Sequence, residues 1–331
     1  RGQLTGLDVP LIDDNAKTEE QYEAEIRNMV AHGVDAPMCY QPPSAKGPTA
    51  LMKRALEIRR DAGVSTDRFF GCFWGPSPAD DPALTRRVLG EVIKLTKSFG
   101  YREYYNYGPD EASVEQTKTV LEPWRLLREE VGAKVYLAAS PKVWTGTNPA
   151  RRKLWNQVKG LVNLFVTGGT PNPKWAARLH QAGLLIYNYA NPQCGIEEPL
   201  TYRRNYGLLL WKVDYDGAMD YAYQHGFGAH MWNDFDLIAG DKYKWRDHVM
   251  AYATSNGVVD TLHWEGRREA VDDLRYLSTL LEKIKEAKKD PARLEQVRQI
   301  EEWVSTIDPS GDLDELRREI VVRILNLLAK K

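Results

Sequence analysis

Apolar residues recur along this chain with two alternating periods. Tyr22, Ile26, Met29 and Val30 fall at helical spacing behind Thr18, which pairs with Gln21 in a capping box, so a helix is expected from Thr18 to about His32. Gly33 ends it, and Val34 to Tyr40 reads as a short strand closed by Gln41, Pro42 and Pro43. The unit then repeats. Leu51, Ala55 and Ile58 stripe a helix ahead of the strand-like run Arg68 to Trp74, and Leu84, Val88, Val92, Leu95 and Phe99 stripe another ahead of Tyr101 to Tyr107. Val120, Trp124, Leu127 and Val131 precede a strand at Lys134 to Ala139. Further strands are expected at Leu161 to Thr167 and Leu184 to Tyr189, followed by a long helix from about Thr201 to His225 and a last strand at Gly228 to Trp232.

This alternation predicts an α/β fold with a parallel sheet and crossover helices. A first strand near Leu4 to Val9 brings the set close to a closed (β/α)8 TIM barrel; the rival is a doubly wound open sheet, whose usual GxGxxG or Walker loop is missing after the early strands. Beyond about residue 266 only helical stripes remain: Ala270, Leu274, Leu277, Leu281 and Ile284, then Leu294, Val297, Ile300 and Val304, then Leu313, Leu316, Ile320, Ile324 and Leu327. The expected organisation is a catalytic barrel over residues 1–290 and a C-terminal helical extension, 291–331, packed on it.

Composition narrows the classes. The 331 residues are 43% apolar and 27% charged, which is ordinary for a globular protein. Lys and Arg total 45 against 46 Asp and Glu, and no basic stripe is present to neutralise phosphates, which argues against a nucleic-acid partner. No apolar run approaches the ~20 residues that span a bilayer, so a soluble protein is expected. The sequence opens at Arg1, so a trimmed upstream segment is expected, and a secreted or periplasmic location stays open. Cys39, Cys72 and Cys194 form no CxxC pair, and the six histidines form no HExxH. No metal and no cofactor are expected. Nothing in the sequence fixes the oligomeric state.

In a barrel of this type the reactive groups stand at the carboxyl ends of the strands. Those ends carry Tyr40, Trp74, Tyr107, Asp110 with Glu111, Trp144, Tyr187 to Asn191, and Trp232 to Asp234. Flat aromatic rings with amides and carboxylates suit a sugar, which presents apolar C–H faces and hydroxyl edges. The sharpest local signal is Tyr105 to Ser113. Ser113 and Gln116 form a second capping box, which leaves Asp110 and Glu111 on the strand-to-helix turn, and Gly108-Pro109 breaks the extended backbone so that both carboxylates can point into one pocket. The bland alternative is that acids ahead of a helix only complement its dipole. Adjacent acids do not match the usual retaining pair on either side of a glycosidic bond; they suit substrate-assisted hydrolysis, in which one carboxylate orients a 2-acetamido group and its neighbour protonates the leaving oxygen.

The Gly108-Pro109-Asp110-Glu111 turn, Tyr202-Arg203-Arg204 with Gly207 and Trp211, and the run from Leu262 to Tyr276 resemble the catalytic domain of glycoside hydrolase family 123, over about residues 15 to 285. That resemblance implies a retaining β-N-acetylgalactosaminidase on a (β/α)8 barrel, with Asp110 orienting the acetamido group and Glu111 as general acid/base. The expected function is therefore an exo-glycosidase acting on a terminal β-linked N-acetylhexosamine of a glycan or glycoconjugate. Chemistry suggests the remaining contacts: Trp74 and Tyr107 as aromatic walls, Tyr187, Asn188 and Tyr189 near the acetamido oxygen, Trp232 and Asp234 on the ring and its hydroxyls, and Trp264 with Glu265 completing the pocket. Arg268 and Asp272, four residues apart, read as a structural ion pair. The alternatives are a glycosidase for a sugar without the acetamido group, with Asp234 or Glu198 as nucleophile, and a carbohydrate-binding barrel without turnover.

Overall fold

The computed structural model describes residues 2–10, 15–71, 80–111, 113–140, 149–193, 197–226, 232–233 and 248–329. The chain opens with strands β1 (Gln3–Leu4) and β2 (Ala16–Lys17), then helices α1 (Glu19–Ala31) and α2 (Ala50–Asp61). Strand and helix then alternate through β3 (Arg68–Gly71), α3 (Pro82–Ser98), β4 (Glu103–Tyr107), α4 (Val114–Arg125), β5 (Lys134–Ala138), α5 (Pro149–Leu161), β6 (Leu164–Gly168), α6 (Pro173–Gln181) and β7 (Leu185–Tyr189). Two short helices, α7 (Pro199–Asn205) and α8 (Leu208–Lys212), lead to β8 (Gly217–Ala218) and β9 (Gln224–His225). Strands β10 (His248–Val249), β11 (Ala251–Ala253) and β12 (Val258–Asp260) come next, and three helices close the chain: α9 (Leu262–Ala287), α10 (Leu294–Thr306) and α11 (Leu313–Leu328).

The architecture is α/β, a curled parallel sheet of (β/α)8 barrel type with appended C-terminal helices. Six strands run in the order β3-β4-β5-β6-β7-β8, each parallel to its neighbour. Val34 to Tyr40 flanks β3 through the parallel bridge Cys39–Gly71 and forms no regular strand among the described residues. Alternation sorts the side chains. Phe70, Tyr105, Tyr136, Leu164 and Val166 point into the barrel with Tyr107, Tyr187 and Tyr189, while Phe69, Tyr104, Val135, Leu137, Phe165 and Ile186 face outward onto the helices.

The helix predicted from Thr201 to His225 does not form. It breaks at Gly207, where a Cβ would come within 2.6 Å of the Arg203 carbonyl and 3.1 Å of Ala270, and it stops before Asp214, whose φ is +61°. The strand expected at Leu4–Val9 is reduced to β1, which pairs with β2. The expected strand from Gly228 lies outside the described residues except for Trp232. Helices α10 and α11 bury Val297, Ile300, Val304, Ile320, Ile324 and Leu327 in one core with Leu277, Leu280 and Ile284 of α9 and Leu208 of α8.

Candidate active site at the barrel mouth

Strand β4 delivers the central turn. Its register puts Tyr107 beside Tyr136 of β5, and the Gly108 amide donates to the Tyr136 carbonyl at 2.7 Å, so the ladder runs one residue past the strand before Pro109 ends it. Ser113 and Gln116 cap α4 reciprocally, as their spacing predicts. Between these two fixed points Glu111 takes φ +44°, a left-handed conformation that costs a residue with a Cβ ~1–2 kcal/mol. The turn holds Asp110 and Glu111 over the strand ends.

Each carboxylate meets a tyrosine from inside the barrel. The Tyr107 hydroxyl donates to Asp110 Oδ1 at 2.6 Å, and the Tyr189 hydroxyl, from β7 across the barrel, donates to Glu111 Oε1 at 2.7 Å. Burial raises the pKa of both phenols, and the hydrogen bond to the facing carboxylate raises each further, so both stay protonated donors. Their rings are wedged: Tyr107 stacks on Tyr136 at 4.9 Å between centroids, and a Cβ on Gly168 would lie 3.0 Å from the Tyr189 ring. Adjacent acids thus reach tyrosines on strands that do not touch, over a cavity of about 390 Å³. Tyr40, Tyr107, Asp110, Tyr136, Tyr189 and Tyr221 line it with Met38, Met219 and Asp220.

Asp220 was not singled out by sequence. It pairs with Arg267 of α9, accepts from the Tyr206 hydroxyl at 3.0 Å, and borders both the mouth and a larger cavity of about 540 Å³ on the open flank of the sheet. Only the fold brings Asp220 to Arg267, so no local pattern announces the pair.

The other expected site residues scatter. Tyr187 points inward, but its hydroxyl accepts from Arg68 at 2.5 Å and its ring lines the larger cavity. Asn188 faces outward, fully buried, and donates to the carbonyls of Thr167 and Gly169 at 2.9 Å. Trp232 is half exposed, stacks on Tyr252 and donates to the Ala253 carbonyl. Trp264 is buried against His32, and Glu265 bonds Arg268; neither borders the mouth. Trp74 and Asp234 lie outside the described residues. Glu198 is exposed at the start of α7, where it accepts from the Thr201 hydroxyl.

No family model matches the chain, and no curated protein matches it. Among solved structures it resembles N-acetylneuraminate lyase from Fusobacterium nucleatum complexed with pyruvate, at 13% identity over 100% of this chain and 97% of that one, with a TM-score of 0.37. It also resembles a 2-keto-3-deoxygluconate aldolase of Sulfolobus sulfataricus in complex with D-KDPG, at 16% identity over 66% of this chain and 67% of that one, with a TM-score of 0.35. Likeness at that level carries nothing about this chain's own chemistry. These findings correct the expected membership of glycoside hydrolase family 123: its model is not matched, and the barrels resembled are a lyase and an aldolase rather than hydrolases. The exo-glycosidase expectation falls with it, as do the non-acetamido and binding-only alternatives. Among the described residues no helix is long and apolar enough to cross a membrane.

Proposed function

We propose that the barrel mouth binds a small, polyhydroxylated molecule that is neutral or cationic and carries out proton transfer on it, with Asp110 and Glu111 as the groups that take and return the proton. The observation behind this is the paired arrangement at the 108–111 turn: two consecutive exposed carboxylates, each accepting through one oxygen from the hydroxyl of a half-buried tyrosine, with Asp110 lining an aromatic cavity of about 390 Å³ and Glu111 tethered to Tyr189 of its wall. A carboxylate fixed through one oxygen keeps lone pairs on the other for a substrate proton, and its tyrosine can share the charge that develops. The volume falls in the ~300–1,000 Å³ range of small-molecule sites, and stacked phenol rings suit the C–H faces of a sugar-like ligand.

Charge sets the ligand class. Asp110 leaves the lining negative and Glu111, bonded to Tyr189 of its wall, adds to that charge, while Asp220 is already paired with Arg267. A phosphate or carboxylate ligand such as those in the aldolase and lyase complexes would meet repulsion there. An imine route calls for a lysine amine, and among the described residues no lysine lines either cavity. Lys17, fully buried, is held by Glu25 at 2.6 Å and Gln224 at 2.8 Å.

Solvent-deuterium incorporation tests the proposal. A panel of neutral sugars, amino sugars and polyols incubated with the protein in heavy water is expected to contain a member that exchanges a carbon-bound proton, with the exchange reduced ~10²–10⁴-fold in Glu111→Gln or Asp110→Asn. Exchange that survives both substitutions, or a preference for sugar acids over neutral sugars, would sink it.

A further inference from the structure

At the other end of the barrel, where α1 hands over to the 34–40 segment, three side chains from distant parts of the sequence converge. His32 caps α1, Asp260 ends β12, and Glu265 lies in the first turn of α9. His32 Nε2 is 3.4 Å from Glu265 Oε1 and 3.7 Å from Asp260 Oδ2, and one donor atom from each residue lies within 4.8 Å of the others. We propose that these three residues bind a divalent first-row transition ion, zinc or one like it, which ties the end of α1 to the start of α9.

Three observations carry the assignment. The first is the imidazole. His32 is 5% exposed, and its Nε2 is buried without a hydrogen bond although it faces both acids. Its Nδ1 lies 2.9 Å from the Asn28 carbonyl, which can only accept, so Nδ1 is the donor and Nε2 is the ring nitrogen turned toward the acids, the atom that would ligate an ion. The second is the outer layer of contacts, because each ligand is fixed by its other polar atom. Asn28 Nδ2 donates to Asp260 Oδ1 at 2.7 Å and Arg268 Nε to Glu265 Oε2 at 2.8 Å, so the inward oxygens are the ones left over. Asn28 is itself held, accepting from the Tyr223 hydroxyl and from Trp264 Nε1, and the Trp264 ring stacks on His32 at 4.7 Å. Outer partners of this kind orient metal ligands and fix the histidine tautomer.

The third is scale. With bonds of ~2.0 Å, the ligand atoms of a tetrahedral zinc stand ~3.3 Å apart. Both His32 separations are near that value, so small side-chain movements complete the site. One nitrogen and two oxygens suit zinc or a neighbouring ion, and leave a fourth position for water. The two carboxylates are partly exposed, which gives the ion a path in.

The experiment is zinc titration of the chelator-stripped full chain by calorimetry, with cobalt absorption as a second readout. One ion per chain, a zinc-dependent rise in Tm and the visible bands of low-coordinate cobalt are expected. Asp260→Ala and Glu265→Ala, both at partly exposed positions, should weaken binding at least about tenfold while circular dichroism stays native. Glu286→Ala, an exposed acid at the far end of α9, should leave binding unchanged. Zinc bound no more tightly than by Glu265→Ala would overturn the site and leave the three residues a contact between α1 and α9 that holds no ion. Either result is independent of the chemistry at the mouth.

Discussion

Two stretches of this chain cluster acids, and the fold uses them in opposite ways. At 108–111 each carboxylate is exposed, and the described residues give it one tyrosine hydroxyl. Where α9 crosses α7 the central acid is consumed. Asp273, 1% exposed, accepts from Arg203 through both oxygens and from Arg317 through one, and Arg203 continues to Asp314 and the Leu313 carbonyl. Arginines accompany the acids of α9 and not those of 108–111, and spare hydrogen-bonding capacity follows from that difference. A carboxylate whose lone pairs are filled by buried guanidinium groups can only hold helices together, whereas one tethered at a single oxygen can still take a proton.

The contrast breaks most visibly if α10 and α11 are removed. Ending the chain at 290 would expose the faces of Leu208, Leu277, Leu280 and Ile284 that those helices cover and leave Arg203 without Asp314. We propose that 291–331 belongs to the same cooperative unit as the barrel. The expected outcome is aggregation or loss of the thermal transition in calorimetry; a truncated chain that melts like the full one would make the extension separable. Next in size is Asp273→Ala. It removes the buried carboxylate of Arg203, 5% exposed, and leaves that guanidinium only Asp314 and the Leu313 carbonyl, so the loss should approach the ~3–5 kcal/mol of a broken buried pair, read as a shift of the urea midpoint. Glu111→Gln should move that midpoint by less than ~1 kcal/mol while removing exchange activity.

That division explains what could be read from the sequence. Capping boxes, stripes and the Gly108-Pro109 break act over a few residues, so α1, α4, the strand alternation and the acidic turn were legible. The other motifs behind the glycosidase resemblance were legible too, but they mark packing. Gly266 lets α9 cross α7, because a Cβ there would lie 2.2 Å from the Pro199 carbonyl, and Gly207, Arg203 and Asp273 lock the same crossing. Alternation itself excludes one expected contact: Asn188 sits between two inward tyrosines and therefore faces out. What was illegible is non-local. Asp220 with Arg267, and His32 with Asp260 and Glu265, are brought together by tertiary structure alone, and no spacing rule such as HExxH describes them.

Tyr189→Phe sharpens the comparison at finer scale. Among the described residues it removes the one hydroxyl that ties Glu111 to the far side of the mouth, and it leaves the ring against Gly168 in place. A hydrogen bond to a charged group contributes ~1.5–3 kcal/mol when buried, and less is expected here because Glu111 is exposed. The diagnostic outcome is a larger loss in kcat than in the urea midpoint. Equal losses would make the contact structural, like those of α9.

The smallest effect separates the two kinds of acid by pH. His180 of α6 lies between Asp216, at 2.9 Å from Nε2, and Asp214, at 3.1 Å from Nδ1, in the connection between α8 and β8. The hydrogen bond to Asp216 raises its pKa, partial burial opposes this, and the charges of Asp216 and Asp214 add to the rise. Because the folded value lies above that of the unfolded chain, ~6.5, the stabilisation is complete below that pH and is lost as pH rises through the folded value. Urea midpoints of the native chain should therefore decline above ~6.5 relative to His180→Gln, by a small amount because the ring is partly solvated. Asp216 Oδ2 also accepts from the Ile186 amide at 2.8 Å, so the carboxylate stays anchored to β7 when the imidazolium discharges, and the decline should come without unfolding of α6. A variant that keeps the full pH slope would assign the slope to another group.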